Sequence, residues 1–396
     1  MTLGQLFLAD LVSDCLVQKP LTPRFGAYSQ SNLAGIRIYF LHCVKIMLRL
    51  YEHCVKISKK SEELKVGEVV VDVLYGVIFL LIGLFSLLSG FNDGGNLMAT
   101  FLRGGVLAPW VIFPILVGSI ALGPLLFGTA VSRTIAVAIV NFDLTGPWVL
   151  AVAIGSAVLT LFITWRFRIP TSTTMALAGG MLGASIASGD ARFIHWSGIV
   201  TVLVGLIASV ILGFITAFVV TRALWTILAK ASSSSYRRMK RLQYVSAMWQ
   251  GMAYGANDQE KAIGLTALAT MLWIKGFHYH VSWIAVSIPL VFWALGFWGG
   301  GVRIAKTVGG HIIRLDPMNA LSTQMAAAVT VSMAAFWGIP VSTTQTTDGA
   351  LFGTGTALNP LKVQWLVARN MLLVWSVTVP LSMVVGLVIM TLSRLT

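Results

Sequence analysis

Charge is what this chain has least of. Only 11% of its 396 residues are charged, and Asp and Glu together number 14. Hydrophobic residues make up 57%. A chain so poor in charge cannot cover a water-facing surface, which excludes an ordinary soluble enzyme or binding domain. Cysteine is nearly absent too. Cys15, Cys43 and Cys54 all precede the apolar part of the chain, so no disulfide framework or thiol chemistry is implied there. Ten-residue stretches of alternating polarity are missing, which argues against an outer-membrane barrel. Residues 1–68 lack the n-region, h-region and cleavage pattern of a signal peptide.

What is present is a series of apolar runs long enough to cross a bilayer. They are Val69–Ser89, Val106–Val131, Trp148–Trp165, Trp196–Ala229, Val281–Gly300 and Trp365–Leu392. They predict an all-α integral membrane protein with several passes. The 38 glycines suit close helix packing and interrupted helices in lipid. The net charge of +14 concentrates where Arg222, Lys230, Arg237, Arg238, Lys240 and Arg241 flank the run Ser232–Ser235. This reads as a cytoplasmic linker obeying the positive-inside rule. A nucleic-acid surface would need interleaved aromatics and a folded domain to display them, so nucleic acid is excluded as a partner.

Residues 1–68 are expected to form a polar, basic, poorly ordered extension, in which Ile36–Tyr51 has the makings of a basic amphipathic helix. Within it, His42-Cys43-Val44-Lys45-Ile46 recurs as His53-Cys54-Val55-Lys56-Ile57. On one straight helix the two pairs would stand roughly 16 Å apart, too far to share a metal. The repeat is read as incidental.

A second repeat is more telling. Gly90-Phe91-Asn92-Asp93-Gly94-Gly95-Asn96 is followed by Ile169-Pro170-Thr171-Ser172-Thr173-Thr174. Gly255-Ala256-Asn257-Asp258-Gln259-Glu260-Lys261 is followed by Ile339-Pro340-Val341-Ser342-Thr343-Thr344. In each copy the hydroxyl motif comes about 80 residues after the Asn-Asp pair, as in a transporter built from repeats. The halves are expected at 69–228 and 242–396, joined by a basic cytoplasmic linker at 229–241. Each begins with an apolar helix that ends at the Asn-Asp pair. Each then carries a basic element, at Arg133 or at Arg303 and Lys306, before the Pro-x-Ser-Thr-Thr turn and a small-residue helix. Proline in the first turn of a helix loses no hydrogen bond. The short helices after Thr174 and Thr344 suggest re-entrant hairpins.

The chemistry follows from residue type. A helix N-terminus offers free N–H donors and partial positive charge, and Ser-Thr-Thr adds hydroxyls at the same point. Two such termini facing each other suit a tetrahedral oxyanion, with Lys261 adding a full positive charge. A single Ser-Thr-Thr would more simply bond back to its own helix. An ionised Asp at bilayer depth costs about 2.5–3.5 kcal/mol on insertion scales. Asp93 and Asp258 therefore suit a cation or proton beside the anion, with the backbone unwound at Gly90 and Gly255. Asn92, Asn96 and Asn257 offer both donors and acceptors. Asp348 stands one turn beyond the second Ser-Thr-Thr, where it is placed to line the pathway.

These residues resemble the inorganic phosphate transporter (PiT) family, whose halves carry Gly-Ala-Asn-Asp and Pro-Val-Ser-Thr-Thr. The match covers about residues 69–396 and is closer in the second half. Lys261 is family-like where the first copy has Asn96. The resemblance implies two inverted-topology repeats and symport of phosphate with sodium ions or protons. It implies anion contacts from Ser172, Thr173, Thr174, Ser342, Thr343 and Thr344. Asn92, Asp93, Asn257 and Asp258 would join the anion and cation sites, with sodium, if it couples, at Asp93 and Asp258. There are departures. Phe91 replaces a small residue and Thr171 a valine, Met175 and Gln345 stand where histidine is frequent, and Asp348 replaces a small or hydroxylated residue. They bear on the anion, because some relatives carry sulfate. Hydrogen phosphate suits a carboxylate acceptor, whereas sulfate has no proton to offer one.

Phosphate symport is the leading expectation, with sulfate permease as the alternative. The partners are the oxyanion, the lipid bilayer and, if the chain self-associates, a second copy in a homodimer. No cofactor is expected, and the short loops suit a prokaryotic inner membrane. An intramembrane enzyme lacks support. There is no His-Glu-x-x-His, Gly-x-Ser-x-Gly or Gly-x-Gly-Asp, and Ala187-Ser188-Gly189-Asp190 falls short of the last. A channel fits duplicated polar breaks less well than alternating access does.

Overall fold

The structure, a computed structural model, describes residues 66–104, 108–167, 169, 171–189, 191–228, 233–274, 278–301, 305 and 315–395. They belong to one unit, residues 42–396. The extension before residue 66, with its His-Cys pairs and Ile36–Tyr51, lies outside the described residues, as do Pro170, Lys230, Arg303 and Lys306.

The described residues are almost wholly helical, with a single isolated β-bridge between Val140 and Ile194. In the first half come α1 (Val66–Ser89), α2 (Gly95–Gly104), α3 (Pro109–Phe127), α4 (Ala130–Val137), α5 (Pro147–Arg166), α6 (Thr173–Ala187) and α7 (Trp196–Leu228). The second half has α8 (Ser233–Tyr254), α9 (Glu260–Trp273), α10 (Trp283–Gly296), α11 (Pro317–Phe336), α12 (Thr343–Leu358) and α13 (Trp365–Leu395). Proline at the first position of α3, α5 and α11 starts each where its missing N–H costs nothing. Among the described residues, five helices are long and apolar enough to span a bilayer. They coincide with five of the six apolar runs, and the sixth forms the shorter apolar helix Trp283–Gly299.

Two sequence expectations change here. The helices do not end at the Asn-Asp pairs. Gly90–Gly94 and Gly255–Gln259 are π-helical turns that carry α1 into α2 and α8 into α9 without unwinding. A π-turn absorbs an extra residue within the helix while keeping its backbone bonded. Gly90 and Gly255 answer to packing instead. A Cβ on Gly90 would lie 2.1 Å from Trp293 O, and one on Gly255 would lie 2.1 Å from Ile120 O. Second, Pro340 is not in the first turn of α12. It lies two residues before the N-cap Ser342, whose Oγ accepts from Gln345 N at 3.2 Å. A serine cap satisfies a free N–H that proline cannot. Helix α8 begins at Ser233, within the stretch 229–241 expected as the basic linker.

The helices pair across the halves. Helix α7 packs on α12, and α13 packs on α6. Likewise α3 packs on α8 and α10 on α1, while α5 meets α1 and α11 meets α8. Small residues at four-residue spacing allow the closest contacts. A Cβ on Gly183 would lie 2.1 Å from Met383 O, and one on Gly353 would lie 2.1 Å from Phe214 O. This brings α6 and α12, with their N-terminal motifs, to the middle of the molecule.

Candidate functional site

The two π-turns and the starts of α6 and α12 meet in one buried polar cluster. Asp93 lies on the first π-turn. Its Oδ2 accepts from Ser89 Oγ at 2.8 Å and Thr173 Oγ1 at 2.9 Å, and its Oδ1 accepts from Thr344 Oγ1 at 2.8 Å. One carboxylate thus collects a hydroxyl from each Ser-Thr-Thr segment. Asp258, on the second π-turn, accepts from Lys261 Nζ and from Thr343 Oγ1. Lys261 also donates to Thr173 Oγ1 at 3.3 Å. Because a hydroxyl accepts while it donates, Thr173 links the lysine of one half to the aspartate of the other. Asp93 is 1% exposed, Asp258 3% and Lys261 1%, so water screens none of these charges.

The remaining expected residues divide by role. Ser172 and Ser342 are N-caps. Ser172 Oγ accepts from Met175 N at 3.3 Å and Ser342 Oγ from Gln345 N at 3.2 Å, which leaves each hydroxyl proton available to donate. Thr174 Oγ1 donates to Val341 O at 3.0 Å, tying the two hydroxyl motifs together. Asn257 fixes the turn before α12. Its Nδ2 donates to Ile339 O at 3.1 Å and its Oδ1 accepts from Val341 N at 3.2 Å. Asn92 Nδ2 bonds to Leu88 O at 3.1 Å and Asn96 Nδ2 to Thr344 O at 3.2 Å, while both Oδ1 atoms are buried without a partner.

Four of the five departures from the family pattern also find partners. Gln345 Nε2 donates to Met175 Sδ at 3.7 Å, so the two positions that follow the hydroxyl triplets meet. Thr171 and Thr378 share a hydrogen bond at 2.8 Å between α6's approach and α13. Phe91 stacks on Trp165 with centroids 4.7 Å apart. Arg133 is exposed on α4, away from the buried cluster.

Several members were missed from sequence. Ser89 and Tyr254 each precede the glycine that opens a motif. Ser89 donates to Asp93, and Tyr254 Oη lies 2.6 Å from Thr347 Oγ1 and donates to Thr343 O at 3.2 Å. Glu260, quoted within the second motif but given no role, is buried and accepts from Ser132 N at 2.9 Å near the start of α4. Reading the flanks of both copies in register would have flagged Ser89 and Tyr254.

A buried cluster of carboxylates, hydroxyls and one ammonium amid bilayer-length helices marks a membrane transport protein. The sequence pattern of the phosphate transporter family matches residues 89–240 and 228–386. The chain belongs to that family. It is similar to a Rhizobium meliloti protein named "Probable low-affinity inorganic phosphate transporter", at 32% identity over 76% of this chain and 92% of the relative. Proteins of the same name from Mycobacterium tuberculosis (strain ATCC 25618 / H37Rv) and Bacillus subtilis are 33% and 29% identical, over 76% of this chain and 73% and 92% of their own lengths. A solved structure called "The sodium-dependent phosphate transporter" shares the fold. Its TM-score is 0.72 at 21% identity, over 82% of this chain and 99% of its own.

Proposed function

We propose that the chain is a secondary active symporter that carries inorganic phosphate across the membrane with sodium ions or protons. One observation carries the reading. Two buried carboxylates, Asp93 and Asp258, face one buried ammonium, Lys261. With all three ionised, the cluster has one negative charge in excess. A phosphate anion brought alone to that point would be repelled and stripped of water at once. It can be held there only with accompanying cations, which is the electrostatic requirement for symport.

The hydroxyls supply the link between the two cargoes. Thr173, Thr343 and Thr344 donate to carboxylate oxygens. A sodium ion or proton at those oxygens displaces the hydroxyl protons, which then turn to the anion. Lys261, Thr174, Ser172 and Ser342 add donors, and Asn92 and Asn96 add amide groups, while Asn257 positions the turn. Carboxylate and hydroxyl oxygens are suitable ligands for a hard cation. The mirrored helix pairings favour two inverted repeats at 69–228 and 242–396. Helices α6 and α12, of 15 and 16 residues, would be roughly 23 Å long, short of a bilayer's hydrocarbon core, as in re-entrant hairpins. The setting proposed is a prokaryotic inner membrane crossed several times.

The test is radiolabelled phosphate uptake into proteoliposomes under separate sodium and proton gradients, with excess unlabelled sulfate as competitor. Uptake driven by one gradient, resistant to sulfate and lost in Asp258→Asn is the expected result. Uptake that ignores both gradients, or that survives Asp258→Asn and Ser342→Ala, would sink the reading.

A further inference from the structure

Asp348 has no place in the cluster above. It lies in α12, four residues beyond Thr344, on the same helix face and about 6 Å further along the axis. It is 0% exposed, and neither carboxyl oxygen has a hydrogen-bond partner. Asn96 lies beside it, and its amide is the one donor group close to the carboxyl, but its Nδ2 is turned to Thr344 O and forms no hydrogen bond to Asp348, while its own Oδ1 is unpartnered. The contrast with the other two aspartates is sharp. Asp93 receives three hydroxyls, and Asp258 receives an ammonium and a hydroxyl. Those two carboxylates are supplied with hydrogen-bond donors. Asp348 is surrounded as an acid would be.

Among the described side chains, no neighbouring charge changes this. The ionisable group facing Asp348 is Tyr254 from α8, whose hydroxyl is engaged by Thr347 at 2.6 Å. Helix α11 carries no ionisable side chain, and α7 carries only Arg222, which is exposed. Asp93 is reached only through Thr344. An anion with no hydrogen bond, and with no counter-cation among the described side chains, is the costliest state open to a carboxyl group at this depth. With a proton it is neutral, and its O–H can donate to an acceptor such as Asn96 Oδ1. Packing does not demand the carboxyl either, since the matching position in α6 is Ala178.

We propose that Asp348 is a proton-binding site of the transport cycle, one helical turn from the Asp93–Asp258 centre and distinct from it. The proton is taken from water on one side and returned to water on the other, and no covalent or redox step is involved. The site loads with the anion and must unload before the empty protein returns. The inference rests on the phosphate-symport reading.

The experiment uses the full chain in sodium-free proteoliposomes and labelled phosphate. Net uptake into phosphate-free vesicles requires the site to gain and lose its proton. Exchange into phosphate-loaded vesicles does not. Asp348→Asn should lower net uptake by about ten-fold or more, some 1.4 kcal/mol, while exchange stays within about two-fold. Asp348→Glu should restore part of the net uptake. If Asp348→Asn lowers both fluxes equally and Asp348→Glu rescues neither, the residue is structural and the proposal fails. Unchanged net uptake in Asp348→Asn overturns it as well. So does a wild-type net uptake that is absent without sodium, although phosphate symport would still stand. Absence of any wild-type phosphate exchange would instead refute the phosphate reading itself.

Discussion

The two halves are alike in packing and unlike in chemistry. Gly183 of the first half meets Met383 O of the second much as Gly353 of the second meets Phe214 O of the first, and the helix pairings repeat. Yet the matched positions Asn96 and Lys261 differ in charge, as do Ala178 and Asp348. Asp93 is held by hydroxyls alone, whereas Asp258 is paired with a buried lysine. Duplication therefore supplies a frame in which small residues must agree, because backbone touches backbone. The ionic residues at its centre are free to diverge, and their asymmetry sets how many charges the site holds.

That asymmetry can be tested most strongly at the aspartates. Asp258→Asn leaves Lys261 buried without its direct ion-pair partner and linked to Asp93 only through Thr173, so uptake should vanish and stability should fall by about 3–5 kcal/mol. Asp93→Asn should also abolish uptake but with a smaller stability loss, because an amide oxygen in place of Oδ2 still accepts from Ser89 and Thr173 and only the Thr344 hydroxyl loses its acceptor. Thermal unfolding in detergent, with uptake in vesicles, separates the two. Equal destabilisation would erase the claimed difference. Next in size is the double change Asp258→Asn with Lys261→Asn. It should recover most of the stability lost in the single variant and none of the transport, since a buried pair removed together leaves no orphan charge.

The packing symmetry predicts smaller and matched effects. Gly183→Ala and Gly353→Ala each drive a Cβ against a backbone oxygen, so each should cost about 1–3 kcal/mol. Gly118→Ala, where nothing lies within 4 Å of the added atom, should be neutral or slightly stabilising. A large gap between the first two would break the equivalence of the halves. The smallest loss expected is at Phe91, whose matched residue is Ala256. Phe91→Ala removes the stack on Trp165 and should cost about 0.5–1.5 kcal/mol with little change in uptake.

Much of this was legible in the sequence. Five apolar runs reappear as bilayer-length helices because hydropathy reads burial in lipid directly. The paired motifs meet at one place, as their duplicated spacing suggests. What could not be read was how the backbone behaves at the motifs. A π-turn and an unwound break have the same composition, and the need for Gly90 comes from Trp293 O, two hundred residues away in the chain. Residue types announced hydroxyls and carboxylates but not their partners, so the capping role of Ser172 and Ser342 was hidden. Asp348 was visible as an oddity. Its lack of a hydrogen-bond partner is a property of the packed interior alone.

The account turns on cations making the anion site by drawing the threonine hydroxyls off Asp93 and Asp258. Equilibrium binding of labelled phosphate to the purified protein, with sodium and pH varied independently, tests this most directly. Binding should appear only when sodium or protons are supplied. Equal affinity in sodium-free alkaline buffer would contradict the account, because the excess negative charge at the cluster would then offer no barrier to the anion.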